Sequence, residues 1–319
     1  MVYILFIIGF LVLIKSADVL VDGASSIANK MGVSALIIGL TVVSFGTSAP
    51  ELVVNLMASF SGSTDIAIGN VLGSNIANIL LVLGVSAMIY PLTAHKGTVW
   101  KEIPFSFLAI MVLFFVANDA LIDKSDVSVL SRIDGLVFIS FFIIFFYYIF
   151  GATKKTGPSA QKSGSVACYS TTRSVTMVLL GTAGLVVGGR WIIDGAIHFA
   201  TAFGVSEALI GLTIIAMGTS LPELATSAVA AYKRNVDIAV GNVIGSNIFN
   251  VFWILGVSAI VRPLPFSQEL MFDLVFAVGV TLLLFLALFV GKRHAVDRWQ
   301  GGGFVLLYVT YIIFLVLRG

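Results

Sequence analysis

Two glutamates, Glu51 and Glu223, stand inside otherwise apolar stretches with matching neighbours: Gly46-Thr47-Ser48-Ala49-Pro50-Glu51 and Gly218-Thr219-Ser220-Leu221-Pro222-Glu223. The chain has 16 acidic residues, most of them in polar connectors or near the ends of apolar runs. An ionised carboxylate in hydrocarbon costs at least about 2.5–3.5 kcal/mol. A matched pair therefore needs something that offsets the cost. A bound cation does so directly; a protonated, hydrogen-bonded carboxyl is the alternative. Helical spacing puts the hydroxyls of Thr47 and Ser48 on the face of Glu51, and those of Thr219 and Ser220 on the face of Glu223. Pro50 and Pro222 donate no backbone hydrogen bond and crowd the carbonyl four residues back. Free carbonyls are therefore expected around 44–46 and 216–218, Ser44 and Ala216 included.

Further oxygens follow in the next apolar runs. Ser74 and Asn78 are one turn apart, as are Ser246 and Asn250. The two asparagines suit either cation ligation or bonding between helices, whereas Asn75 and Asn247 suit structural bonding. Together these are hard oxygen donors, fitting Na⁺ and Ca²⁺ and not zinc or copper. The three histidines, His95, His198 and His294, are far apart and form no ligand cluster.

The elements that must hold these groups follow from composition. Of 319 residues, 59% are hydrophobic and 11% charged, with a mean hydropathy of +1.08. Soluble domains carry about a quarter charged residues, so the solvent of this chain is lipid. A net charge of +2 gives no reason to expect nucleic acid, and no obligate protein partner is evident. With roughly 20 apolar residues per span, ten spans are expected: 2–21, 33–60, 66–90, 102–118, 133–151, 174–194, 205–232, 238–261, 270–290 and 301–317. The first lacks a basic lead and a small-residue cleavage site, so it reads as a span and not as a removed signal. A polar linker, 152–173, contains Cys168, the only cysteine, which excludes disulfides within the chain.

Basic residues orient the spans. With the N-terminus outside, Lys30, Lys96, Lys101, Lys154, Lys155, Lys162, Arg173, Lys233, Arg234, Lys292, Arg293 and Arg298 fall inside, and only Lys124, Arg132, Arg262 and Arg318 outside. Both termini are thus expected outside the cell membrane and the linker in the cytoplasm.

The chain repeats itself. Gly32-Val33-Ser34 returns as Gly204-Val205-Ser206, and Gly39-Leu40-Thr41 as Gly211-Leu212-Thr213. The run from Asp65 to Asn78 returns as that from Asp237 to Asn250, every pair 172 residues apart. Repeats kept only for packing would match best at apolar positions; here the polar ones match. Five spans in each half force the second to enter from the opposite face. The expected fold is all-α and polytopic: ten transmembrane helices as two inverted five-helix repeats, 1–151 and 174–319, an architecture suited to secondary transport. Gly69, Gly73, Gly241 and Gly245 are read as packing positions. Lys15 and Asp18 can pair or snorkel, and Asp18 is not expected to meet Arg190. The aromatics from Phe141 to Tyr148 are expected to face lipid or neighbouring helices.

Gly-Thr-Ser-X-Pro-Glu followed by Gly-Asn-X-X-Gly-Ser-Asn-Ile-X-Asn, twice over, resembles the Ca²⁺/cation antiporter superfamily, and within it the prokaryotic sodium/calcium exchanger branch. The resemblance spans essentially the whole chain. It implies that the second, third, seventh and eighth spans enclose the ions while the first and sixth slide over them. Gly181, Gly184, Gly188 and Gly189 would smooth the sixth span for that sliding. The ligands it implies are Thr47, Ser48, Glu51, Ser74, Asn78, Thr219, Ser220, Glu223, Ser246 and Asn250, with carbonyls near Ser44 and Ala216. Some prokaryotic relatives carry aspartate at the position of Asn250, and potassium-dependent exchangers an acid nearby; neutral Asn78 and Asn250 argue against potassium dependence. The implied activity is electrogenic Ca²⁺/Na⁺ antiport by alternating access, with no cofactor. A Ca²⁺/H⁺ antiporter could use the same glutamates. A channel has no need of an inverted repeat around an occluded site. No serine–histidine, aspartyl-pair or histidine–metal constellation suggests an enzyme.

Overall fold

In hydrocarbon every backbone polar group needs an internal partner, so apolar runs of this length become helices. The computed structural model describes residues 2–122, 124, 127–153, 169–202, 216–291 and 294–318. The chain forms α1 (Val2–Met31), α2 (Ala35–Thr47), α3 (Ala49–Ser61), α4 (Thr64–Ile89), α5 (Lys96–Val116), α6 (Arg132–Thr153) and α7 (Thr171–Ala202). A helical turn, Ala216–Thr219, leads into α8 (Leu221–Tyr232), followed by α9 (Val236–Val261), α10 (Gln268–Ala287) and α11 (Arg298–Arg318). Among the described residues, eight helices are long and apolar enough to cross a membrane, or nine if α2 and α3, bent by 47°, count as one span. The expected seventh span falls partly outside: 205–215 are not among the described residues, nor are 154–168 of the linker, Cys168, Lys292 and Arg293. Helices α6 and α7 claim both ends of the expected linker, to Thr153 and from Thr171.

Helix α1 runs ten residues beyond its expected end because its polar residues find partners. Lys233 Nζ lies 2.7 Å from Asp18 and 2.6 Å from Asp22. Asn235 Nδ2 donates to Ser25 Oγ at 2.7 Å, and Ser174 Oγ to Ser26 Oγ at 2.8 Å. Asp18 is thus held by Lys233 and not by Lys15. Arg190 pairs with Asp194 on its own helix at 3.9 Å, away from Asp18 as expected.

Helices α1 and α7 touch backbone to backbone. A Cβ at Gly188 would lie 2.9 Å from Leu13 N, and one at Gly181 2.9 Å from Leu20 N; Gly184 abuts Ser16. These three glycines weld α7 to α1 and do not face the core as a sliding surface, which corrects the expectation above. The glycines that meet α7 from the core are Gly46, against Thr182, and Gly218, against Ile193. Gly241 and Gly245 pack as expected, against the backbone of α2 at Leu36 and Leu40, whereas a Cβ at Gly69 would meet only Leu270 at 3.7 Å and one at Gly73 nothing within 4 Å, so the first half lacks that close approach.

Helices α4 and α9 are central: 72% and 83% of their apolar windows are buried, against 28% for α6 and α11. The outer helices turn Ile4, Ile7, Ile143, Leu306 and Leu317 outward, toward lipid. Phe141 stacks on Phe252 with ring centroids 5.3 Å apart, and Phe142 on Trp253 at 5.2 Å, while Tyr147 is exposed. Two further acids, Glu102 in α5 and Asp273 in α10, are buried with tyrosine partners: Tyr148 donates to Glu102, and Tyr311 to Asp273 at 2.7 Å. Two short strand pairs, unforeseen in an all-α reading, stitch the halves: Leu92–Thr93 with Ala295–Val296, and Val129–Leu130 with Leu264–Pro265. They pair loop backbone that the helices leave unbonded.

Gly188→Leu is expected to force α1 from α7 and destabilise the protein by about 1–3 kcal/mol, read as a lower unfolding temperature in detergent. Gly279→Ala, at an exposed position in α10, should be neutral or stabilising. Equal behaviour of the two would refute the close helix contact.

Candidate cation site

The matched Gly-Thr-Ser-X-Pro-Glu segments break their helices in the same way. Ser48 (φ −84°, ψ 9°) and Ser220 (φ −86°, ψ 3°) leave helical geometry, and proline enters the first turn of the helix that follows. Glu51 and Glu223 also lie in that first turn, where the helix dipole favours negative charge. Both are buried, with 1% and 0% of their surface exposed. Ser48 stands where a helix cap would, yet its hydroxyl makes no capping bond. It donates instead to Glu223 Oε1 at 2.8 Å, which also accepts from Ser246 Oγ at 3.3 Å. The hydroxyls of Thr219 and Ser74 face Glu51, though Ser74 Oγ completes no hydrogen bond. A serine of the first half therefore serves the acid of the second, and a threonine of the second faces the acid of the first.

The expected ligands converge. Thr47 Oγ1 donates to Asn242 Oδ1 at 3.0 Å, and Thr219 Oγ1 to Asn70 Oδ1 at 3.3 Å. Asn78 and Asn250 fall in widened, π-helical turns of α4 and α9, Asn78–Leu83 and Phe249–Leu255; such turns are frequent at functional sites. Asn78 Nδ2 donates to Asn247 Oδ1 at 3.0 Å, and Asn250 Nδ2 to Asn75 Oδ1 at 2.9 Å. The two readings of these asparagines thus divide by atom: the amino groups bond between helices, and the amide oxygens stay unused. Asn75 and Asn247 bond structurally, each also turning its amino group to the other's carbonyl, at 3.4 and 3.5 Å.

Among the described residues, Glu51 Oε2, Glu223 Oε2, Asn78 Oδ1, Asn250 Oδ1, Ser74 Oγ and Ser220 Oγ are buried without a hydrogen-bond partner. Stranded acceptors are costly in a dry interior, and this many belonging to one repeated motif fit hard cations. No group of three or more His, Cys, Asp or Glu capable of holding a metal occurs among the described residues; the unpartnered oxygens named here come from two carboxylates and neutral groups.

The carbonyl of Ser44 differs from expectation. It is not freed but accepts from Ser48 N at 3.0 Å, with Thr47 Oγ1 at 3.3 Å. Pro50 withholds its donor from the carbonyl four back, that of residue 46, and leaves Ser44 its own. In the second half Ser220 N turns to Met217 O at 3.2 Å, one residue beyond Ala216.

Four residues went unassigned in the sequence. Asn70 Nδ2 donates to Asn55 Oδ1 at 2.6 Å, and Asn55 Nδ2 to Ala67 O at 2.9 Å. Asn242 Nδ2 donates to Ser227 Oγ at 3.0 Å. Asn70 and Asn242 fall within the repeated stretch, which is the signal that could have found them; Asn55 and Ser227 occupy equivalent places with different side chains.

A family model described as sodium/calcium exchanger protein matches residues 1–151 and 173–317. The sodium/calcium exchanger MaX1 of Methanosarcina acetivorans is 32% identical over 349 residues, covering 98% of each chain. The inner membrane protein YrbG of Escherichia coli is 37% identical over 332 residues, covering 98% of this chain and 95% of that one. Among solved structures, the sodium-calcium exchanger NCX_Mj superposes with a TM-score of 0.82 at 34% identity, covering 98% of both chains.

Ca²⁺ at a hundredfold excess over its Kd is expected to stabilise the fold by about 2.7 kcal/mol, seen as a rise in unfolding temperature. Asn78→Leu/Asn250→Leu should lose most of that rise. An undiminished rise would remove the two amide oxygens from the cation set.

Proposed function

Because the chain belongs to the sodium/calcium exchanger protein family, we propose that it exchanges Ca²⁺ for Na⁺ at Glu51 and Glu223 by alternating access. The observation that carries the reading is the pair of buried glutamates, each with an unpartnered carboxylate oxygen, together with the likewise buried and unpartnered amide oxygens of Asn78 and Asn250. Two ionised carboxylates are neutralised by one Ca²⁺ or by two Na⁺, so the ions compete for the same oxygens. That competition couples their movements. The empty site is strongly negative and costly to carry through hydrocarbon, which suppresses leak. A further Na⁺, held by hydroxyls and carbonyls, would make exchange electrogenic. The ligands of this proposal are the side chains of Thr47, Ser48, Glu51, Ser74, Asn78, Thr219, Ser220, Glu223, Ser246 and Asn250, with carbonyl support near Ala216.

The architecture of the proposal is ten helices in two inverted halves, both termini outside and the linker in the cytoplasm. The 172-residue repeat and the excess of basic residues in the intended inner loops support it.

In liposomes, an outward Na⁺ gradient at clamped pH is expected to drive Ca²⁺ uptake, and an imposed membrane potential to change its rate. A K⁺ gradient should do neither. Glu51→Gln and Glu223→Gln should each abolish uptake in folded protein; wild-type rates in either would refute the assignment. Uptake driven by a pH gradient alone would make H⁺ the coupling ion. For the orientation, an impermeant maleimide should label Cys168 in inside-out vesicles and not in intact cells, and the reverse result would invert the topology.

A further inference from the structure

Behind the two threonines lies a matched pair of hydrogen-bond chains whose direction is fixed by a backbone carbonyl. A carbonyl oxygen only accepts. Asn55 donates to Ala67 O at 2.9 Å, which fixes the orientation of its amide and turns its oxygen to Asn70. Asn70 must then present its amino group to Asn55, and its own oxygen to Thr219. Threonine has one hydroxyl proton, and that oxygen draws it. In the other half, Asn242 directs its amino group to Ser227 Oγ at 3.0 Å and to Glu223 O at 3.4 Å. Ser227 in turn donates to Ala239 O at 3.5 Å. Asn242 therefore also meets its threonine, Thr47, with its oxygen, at 3.0 Å. Ala67 and Ala239 are 172 residues apart, as are Asn70 and Asn242. The chains reach the same polarity although the middle residue is asparagine in one half and serine in the other.

Each threonine hydroxyl has the carboxylate as a further acceptor at hand, Glu51 for Thr219 and Glu223 for Thr47; Thr47 also has Ser44 O at 3.3 Å, longer than its 3.0 Å to Asn242. A proton aimed at the carboxylate would sit where a cation must come. We infer that Asn70 and Asn242 are positioning residues that draw the threonine protons away from the glutamates, so that Thr47 and Thr219 present lone pairs to the bound cation. Neither asparagine touches the ion in this role; each acts through its threonine. Ser227 and Asn55 hold the asparagines in the required sense. The inference rests on the threonines being cation ligands, as proposed above.

The test is a pair of double-mutant cycles on Ca²⁺ affinity, measured by isothermal titration on purified protein, which needs no transport. Thr219→Val and Asn70→Leu should each weaken binding about tenfold, as expected for one hydrogen bond or ligand contact. The double variant should bind as weakly as Thr219→Val alone, because nothing is left to orient. Asn70→Leu with Thr47→Val, which crosses the two chains, should multiply. Independent, multiplying losses within Asn70–Thr219, or wild-type affinity in Asn70→Leu, would overturn the relay. Should Asn70→Leu not fold, Ser227→Ala with Thr47→Val poses the same question with a single-oxygen deletion, and multiplying losses there are equally fatal. Unchanged affinity in both threonine variants would strike at the ligand assignment itself, and the relay with it. Losses that multiply only within a cycle would leave the ligands standing and remove the relay alone.

Discussion

Two carboxylates held out of water are the constraint that organises this protein. Each must be met by donors or by positive charge, and hydrocarbon supplies neither. The break at Ser48 and Ser220 is one answer, since it turns a helix start toward each acid. The crossed service of the halves is another: Ser48 bonds Glu223, while Thr219 faces Glu51. Neither half can complete its own acid, so the site exists only when the two are docked. The remaining oxygens stay unpaired, and the cation proposed above would meet them.

The rest of the molecule keeps this polar centre rigid and dry. Helices α4 and α9 carry the asparagines and are the most enclosed elements. Their amides lock to one another through Asn75, Asn78, Asn247 and Asn250, so the two helices cannot shift independently without breaking several bonds at once. Networks of this kind are costly when half-made and specific when complete. Around them, α1 and α7 pack closely on each other through glycines, and α7 meets the centre at Gly46 and Gly218, just before the breaks.

Much of the site was legible in the sequence because its signal is polar and doubled. An acid in an apolar run is conspicuous, and the 172-residue offset marks which acids belong together. The asparagines followed from the same offset, though the division of labour between their two amide atoms needed coordinates. What the sequence concealed was direction. The glycines of α7 were visible as a small-residue face, but their spacing does not say whether that face meets α1 or the core. Asp18 had a plausible partner three residues away in Lys15, yet a residue 215 positions on holds it. Asn55 and Ser227 escaped notice because they are equivalent in role and different in type, and identity was the search signal. The widened turns at Asn78 and Asn250 leave no mark in composition, and the short strands come from loop meetings no periodicity encodes.

Among the described residues, the Lys233 clasp on Asp18 and Asp22 has no twin. Shifted by 172, its members become Ser61, Arg190 and Asp194. Among the described residues, Ser61 bonds Ala58 O at 3.0 Å, and Arg190 and Asp194 content themselves with each other. Duplication doubles every fastening until later substitutions undo one. Among the described residues, the clasp buttons one end of the outer pair to the centre, and its counterpart at the other end pairs only within α7. In the alternating-access cycle proposed above, two poses related by the internal symmetry would then be unequal in energy, and strokes in opposite directions would begin from different heights.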